Sequence, residues 1–275
     1  MKRFFLMIFL FLGAALQGEG PKKWMVYYSN AISPEEMNPY QLVVLDSDIH
    51  PLLDGFIESE RRALGYISVG EIEKQRGHFK EAEKKGLLLE ENKNWPGSYK
   101  IDIRDPKWAK MVIEELVPKT LFQRFDGIFL DTLDSALYLE EEQPEKYAGM
   151  REAAIRLVRA IRKNYPEIKI MVNRAYDILP EIAGEIDQVL GESVYTTYDF
   201  ERKLYRHTSE EEYAAQVAAL KKAKKENPEL ELYTLDYWDP EDKEEIKKIY
   251  RIQRENGFIP YVATIDLHKI VPEPT

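Results

Sequence analysis

The sequence contains no cysteine. Disulfide frameworks, thiolate zinc sites, cysteine nucleophiles and a lipid-bearing cysteine are all excluded, so stability has to come from a packed core. It also lacks a basic stripe: 49 Asp and Glu face 39 Lys and Arg, for a formal net charge of -10 at pH 7. Such a chain has little with which to displace counterions from a polyphosphate, which argues against DNA and RNA as partners. There is no glycine-rich phosphate loop and no HExxH pair, and His50, His78, His207 and His268 are too scattered for a zinc triad. No cofactor or metal is called for. Ser29, Ser47 and Ser68 follow apolar runs without an evident base to activate them.

Long apolar runs are missing too, with one short exception. The first twenty residues carry Lys2 and Arg3, an apolar stretch from Phe4 to Leu12, then Gly13, Ala14 and Ala15. This is the order of a secretory signal peptide, and the stretch falls short of the roughly 20 residues that span a bilayer. Residues 1–20 are therefore expected to be a cleaved leader. Residues 21–275 are expected to be one exported domain with no stable membrane insertion. Loss of Lys2 and Arg3 would take the charge from -10 to -12, provided that cleavage falls before Glu19. Oligomeric state is not legible in these features.

What the sequence does have is alternation. Short apolar runs begin at Trp24, Leu42, Leu64, Gly127, Ile168, Gln188, Leu230 and Gly257. Several of the segments between them have helical spacing and helix signals: Asp105-Pro106 and Asp239-Pro240 as starts, Gly257 as a stop, and Pro166 and Pro228 as terminators. Eight such alternations in about 250 residues predict a single (β/α)₈ barrel in the α/β class, with an open doubly wound sheet as the alternative. The longest irregular piece, 73–102, follows the third run, where a barrel would extend a loop over its mouth.

The ends of these runs are polar. Asp46 and Asp48 close the second, Glu71 the third, Asp131 and Asp134 the fourth, Asn173 and Arg174 the fifth, Glu192 the sixth and Asp236 the seventh. In a barrel those ends surround one mouth, and carboxylates held against apolar neighbours are costly unless they serve a purpose. Clustered acids suit either glycoside cleavage or a hard cation such as Mg²⁺ or Ca²⁺. Aromatics near the same ends favour a sugar: Tyr28, Trp95, Tyr99, Tyr195, Tyr198, Tyr237, Trp238 and Tyr261 offer flat faces with a polar edge, while Trp24 and Tyr27 are expected to be core. A polysaccharide or oligosaccharide is the expected partner. A barrel that binds such a chain without cleaving it is the alternative.

The ordered segments "VVLDSD", "GYISVGE", "FDGIFLDTLD", "MVNRAYD", "GESVYTTYD", "YTLDYW" and "GFIPYVAT" resemble those of the glycoside hydrolase family 114 barrels, the endo-α-1,4-polygalactosaminidase-like proteins. The resemblance implies a secreted or periplasmic, retaining hydrolase of galactosamine-rich polysaccharide. It implies Asp131 as nucleophile and Glu192 as acid/base; the residues alone do not single this pair out from the other acids. Tyr28, Asp46, Glu71, Asp134, Asn173, Arg174, Tyr195, Asp236, Trp238 and Tyr261 are then expected to bind substrate.

Overall fold

The computed structural model describes residues 22–56 and 60–275, so the leader-like segment lies outside the described residues. Eight barrel strands run parallel and pair in chain order: β1 (Trp24–Tyr27), β2 (Leu42–Asp46), β3 (Arg62–Ser68), β4 (Gly127–Asp131), β5 (Lys169–Asn173), β6 (Gln188–Glu192), β7 (Glu231–Tyr237) and β8 (Ile259–Ala263). They curl into a nearly closed TIM barrel. At the seam, the Trp24 indole Nε1 donates to the Ile259 carbonyl at 2.9 Å.

Strand alternation sorts the apolar residues into two layers. Ile128, Leu130, Ile170, Val172 and Val189 point outward and pack with the surrounding helices. Phe129, Met171, Leu190, Tyr233 and Leu235 point inward and fill the barrel with Trp24 and Tyr261. Trp24 and Tyr27 are core, as expected.

The expected helices form where their signals place them, with one shift. Asp105 caps the helix that starts at Pro106, accepting from Lys107 N at 2.8 Å. This helical stretch widens into a π-turn at Val112–Leu116, just before Pro118. A proline there has no N–H and would clash with the carbonyl of Glu114 in a regular α-helix, which accounts for the widening. Met150–Asn164 and Glu210–Glu226 end ahead of Pro166 and Pro228. Asp239 does not cap the last helix: it accepts from Glu241 N in a turn, and Asp242 caps Lys243–Glu255 through Glu245 N. After β1 there is only the 3-10 turn Pro34–Met37, and among the described residues no helix follows β2. No described helix is long and apolar enough to cross a membrane.

The piece read as irregular is ordered. Glu71–Glu73, Leu88–Glu91 and Ser98–Ile101 form a small antiparallel sheet, with the helix Phe79–Lys84 in its connection. A second extension, the hairpin Thr196–Asp199 with Leu204–His207, rises after β6. These two extensions flank the ends of β4 and β5.

Candidate active site

Alternation and stagger together assemble the site. Asp131 follows inward Phe129 by two residues, Asn173 follows Met171, Glu192 follows Leu190, and Tyr237 follows Leu235, so all four side chains enter the barrel mouth. The ladders climb: Asn173 pairs with Leu190, which sets Glu192 two residues higher, and Glu192 pairs with Leu235, which sets Tyr237 two higher again. Hydrogen bonds join these diagonal neighbours.

A single amide nitrogen links the two acids. Asn173 Nδ2 donates to Asp131 Oδ1 at 2.9 Å and to Glu192 Oε2 at 2.6 Å. The two oxygens are therefore no farther apart than these bonds laid end to end, about 5.5 Å. The opposite amide orientation would press an oxygen against two acceptors, so charge fixes the rotamer. Tyr237 donates its hydroxyl to Glu192 Oε1 at 2.6 Å, and the Tyr66 hydroxyl bonds Asp131. Tyr28 stands edge-on to Tyr66, with ring centroids 5.1 Å apart, and completes a tyrosine wall around the acids. Burial, and next the charge Glu192 carries when ionised, push the Asp131 carboxyl up to about 7, while bonds from Asn173 and Tyr66 pull it down. Burial first and the neighbouring charges second push Tyr28, Tyr66 and Tyr237 well above the usual phenol range, so all three remain protonated donors.

The backbone turns sharply where these side chains leave the strands. Thr132, Arg174 and Ser193, each immediately after an inward polar residue, have φ of 66°, 52° and 56°, and Ala175 has 48°. Left-handed backbone at non-glycine residues is costly and persists where the surroundings enforce it. At Thr132 the enforcement is visible. Its Oγ1 accepts from Gly70 N at 2.8 Å and Glu71 N at 3.1 Å, and bonds Ser68 Oγ at 2.8 Å. Its carbonyl lies 1.9 Å from where a Cβ on Gly70 would stand, so only glycine fits there.

The other residues expected in the site divide. Asp134 and Arg174 reach the mouth, pairing at 3.6 Å, and burial raises the Asp134 carboxyl. Tyr28 joins them. Glu71 lies at the edge of the site, but its oxygens are taken up by Asn92, Ser98 and Ser135, at 2.7 to 3.1 Å. Asp46 grips Arg76 with both oxygens and caps the turn at Asp48 and Ile49. Asp236 and Trp238 have the wrong parity: inward Tyr237 lies between them. Asp236 is fully buried behind β7, accepting from Tyr195 N, Thr196 N and Gln253 Nε2, and burial pushes it up to about 6. Trp238 and Tyr195 pack beside the last helix, each against His207. Tyr261 is inward but deep, stacked edge-on with Trp24. Asp46, Asp236 and Tyr261 are therefore structural, correcting their expected contact with substrate. His50 is structural as well, bonded to Pro51 O and Gln123 Oε1. Tyr66 was missed and Tyr237 was read only as one of the aromatics near the mouth, and strand parity is the signal that would have placed both in the site.

From Asp134 and Arg174 a groove of about 640 Å³ leads outward between the antiparallel extension and the helix Leu133–Glu142. Its lining is predominantly acidic: Glu71, Glu90, Glu91, Asp134, Glu141, Glu142 and Asp177, against Lys93, Lys100 and Arg174.

The profile of glycoside-hydrolase family GH114 matches residues 13–274. The chain belongs to that family. As a GH114 member it is a glycoside hydrolase. It is 24% identical over 256 residues to an uncharacterized protein of Deinococcus radiodurans, covering 89% of this chain and 80% of that one. Among solved structures, the glycoside hydrolase domain of PelA from Pseudomonas aeruginosa superposes with a TM-score of 0.81 at 23% identity, covering 92% of this chain and 99% of that domain. Ega3 of Aspergillus fumigatus, solved in complex with galactosamine, gives 0.70 at 15% identity over 94% of this chain and 97% of that one. At these identities the two structures speak for the fold of the GH114 chain.

Proposed function

We propose that this GH114 chain is an exported, retaining, endo-acting hydrolase of galactosamine-containing polysaccharide, with Asp131 as nucleophile and Glu192 as acid/base. The observation that carries the reading is the pair of carboxyls spanned by Asn173 Nδ2. A separation of about 5–5.5 Å suits direct attack on the anomeric carbon, whereas inversion needs about 6.5 Å or more to admit a water between them. Glu192 gives its proton to the leaving glycosidic oxygen as Asp131 forms a glycosyl ester. It then takes a proton from the water that attacks the ester, which frees Asp131. Tyr237 and Asn173 fix the Glu192 carboxyl throughout.

Galactosamine in the Ega3 complex brings that sugar to this chain as the proposed unit. The acidic groove supports it, because a deacetylated amino sugar carries a positive charge. Export rests on the leader-like first twenty residues. The test is hydrolysis of partially deacetylated galactosaminogalactan with NMR of the first-formed anomer. Retention with activity lost in both Asp131→Asn and Glu192→Gln is expected; an inverted product, or full activity in either variant, overturns the assignment.

A further inference from the structure

Two aromatic side chains meet above the mouth without being needed for packing. Trp95, 51% exposed, sits at the tip of the extension after β3, and Phe200, 44% exposed, at the tip of the hairpin after β6. Their rings touch edge to face, with centroids 5.1 Å apart at 75°. Each tip is held from behind. Trp95 N donates to Asn92 O and Ser98 N to Trp95 O, and Asn92 is itself tied to Glu71 beside the site. Phe200 stacks on Tyr198, and Asp199 caps the turn through Glu201 N and Arg202 N.

The two extensions hang from the strands that flank β4 and β5, which carry Asp131 and Asn173. Contact between their tips therefore closes a ring: β3, its extension, the ring pair, the β6 hairpin and β6 itself, with β4 and β5 as the floor. The groove lined by Asp134, Arg174 and Tyr138 approaches this ring from the β4 and β5 side. The weakest link is one aromatic contact, which thermal motion can break.

We propose that Trp95 and Phe200 form an openable bridge over the mouth, and that it determines how a polymer is admitted. This rests on the polysaccharide-hydrolase reading above. A chain end threads beneath the closed pair. An internal segment enters only when the pair parts, so endo cleavage depends on opening.

The absence of native cysteine permits a direct test. The Trp95→Cys/Phe200→Cys double variant is joined with a reducible bis-maleimide and compared with itself after reduction. Locked, it is expected to lower the viscosity of partially deacetylated galactosaminogalactan at least tenfold more slowly, while cleaving a galactosamine hexamer within threefold of the reduced form. Equal viscosity loss in both states overturns the bridge. Trp95→Ala/Phe200→Ala is expected to keep both activities, with internal cuts as fast or faster; loss of polymer cleavage there would mark the rings as a sugar platform and also overturn the bridge. If the wild type cleaves neither substrate, the galactosamine-polymer reading fails. The bridge is then judged by polymer association to the double variant, expected to be at least tenfold slower when locked; equal rates overturn it.

Discussion

Asn173 is where the chemistry of the mouth is concentrated, because one nitrogen orients both acids. Its bond to Asp131 favours the ionised carboxyl, so removing it lets burial and the Glu192 charge raise the Asp131 pKa further. Asn173→Ala is expected to lower kcat about 10²–10³-fold with KM nearly unchanged, because positioning matters most in the transition state. The acidic limb of the pH–rate profile should move to higher pH, since Asp131 must lose its proton to attack. A profile that falls in height without moving would remove Asn173 from this role. Tyr66→Phe should shift the same limb in the same direction by a smaller amount. At this scale much of the site was legible: Asp131, Asn173 and Glu192 end apolar runs, and a strand that ends in acid is conspicuous. Asp236 and Tyr237 show the limit. Asp236 draws notice as an acid and Tyr237 as an aromatic, but a one-residue step turns the side chain to the other face of the sheet, and only Tyr237 enters the mouth.

Elements position the acids through their junctions. The β4 end is locked to the β3 loop by Thr132, whose hydroxyl serves two amides and whose carbonyl occupies the space beside Gly70. Gly70→Ala puts a methyl group into backbone. It is expected to cost about 2–4 kcal/mol, since neither loop can give way without moving Asp131. Thr132→Val keeps the shape and deletes the acceptor, leaving amides unpaired at a cost of about 1–3 kcal/mol. Thermal melts with kcat on the same preparations check both, and Thr132→Ser should retain most of each. A Gly70→Ala enzyme with wild-type melting and turnover would contradict the clamp. The strands and main helices were readable because their periods differ and their caps are chemical. The three-stranded extension was not, because its strands run only 3 or 4 residues and are joined by side-chain bonds such as Ser98 Oγ to Glu71 rather than marked by an apolar pattern. Closure of the sheet was equally invisible, since it depends on strands far apart in sequence.

Across the whole molecule, buried acids set how stability varies with pH. Asp131 titrates at about 7 and Asp236 at about 6 in the folded chain, against about 3.9 when unfolded. Between these values the folded form holds more protons than the unfolded form, so stability falls as pH rises from about 4 to 7 and levels off above. Acids with lowered values act in the opposite sense. Asp187 is partly buried, yet its bonds to Lys169 and Arg162 and to the Ile170 amide hold it low; its contribution is present above about 4 and is lost as the solution becomes more acidic. The two trends place maximum stability on the mildly acidic side of neutrality. Asp131→Asn removes the buried charge and its repulsion from Glu192 while leaving the shape in place. It is therefore expected to melt higher than wild type at pH 8, by about 5 °C or on the order of 2 kcal/mol, with the gain vanishing near pH 4. Calorimetric melts of both proteins across that range decide the matter. A gain that is independent of pH would mean that Asp131 is not held against its charge, and that its raised pKa does not set the pH dependence of stability.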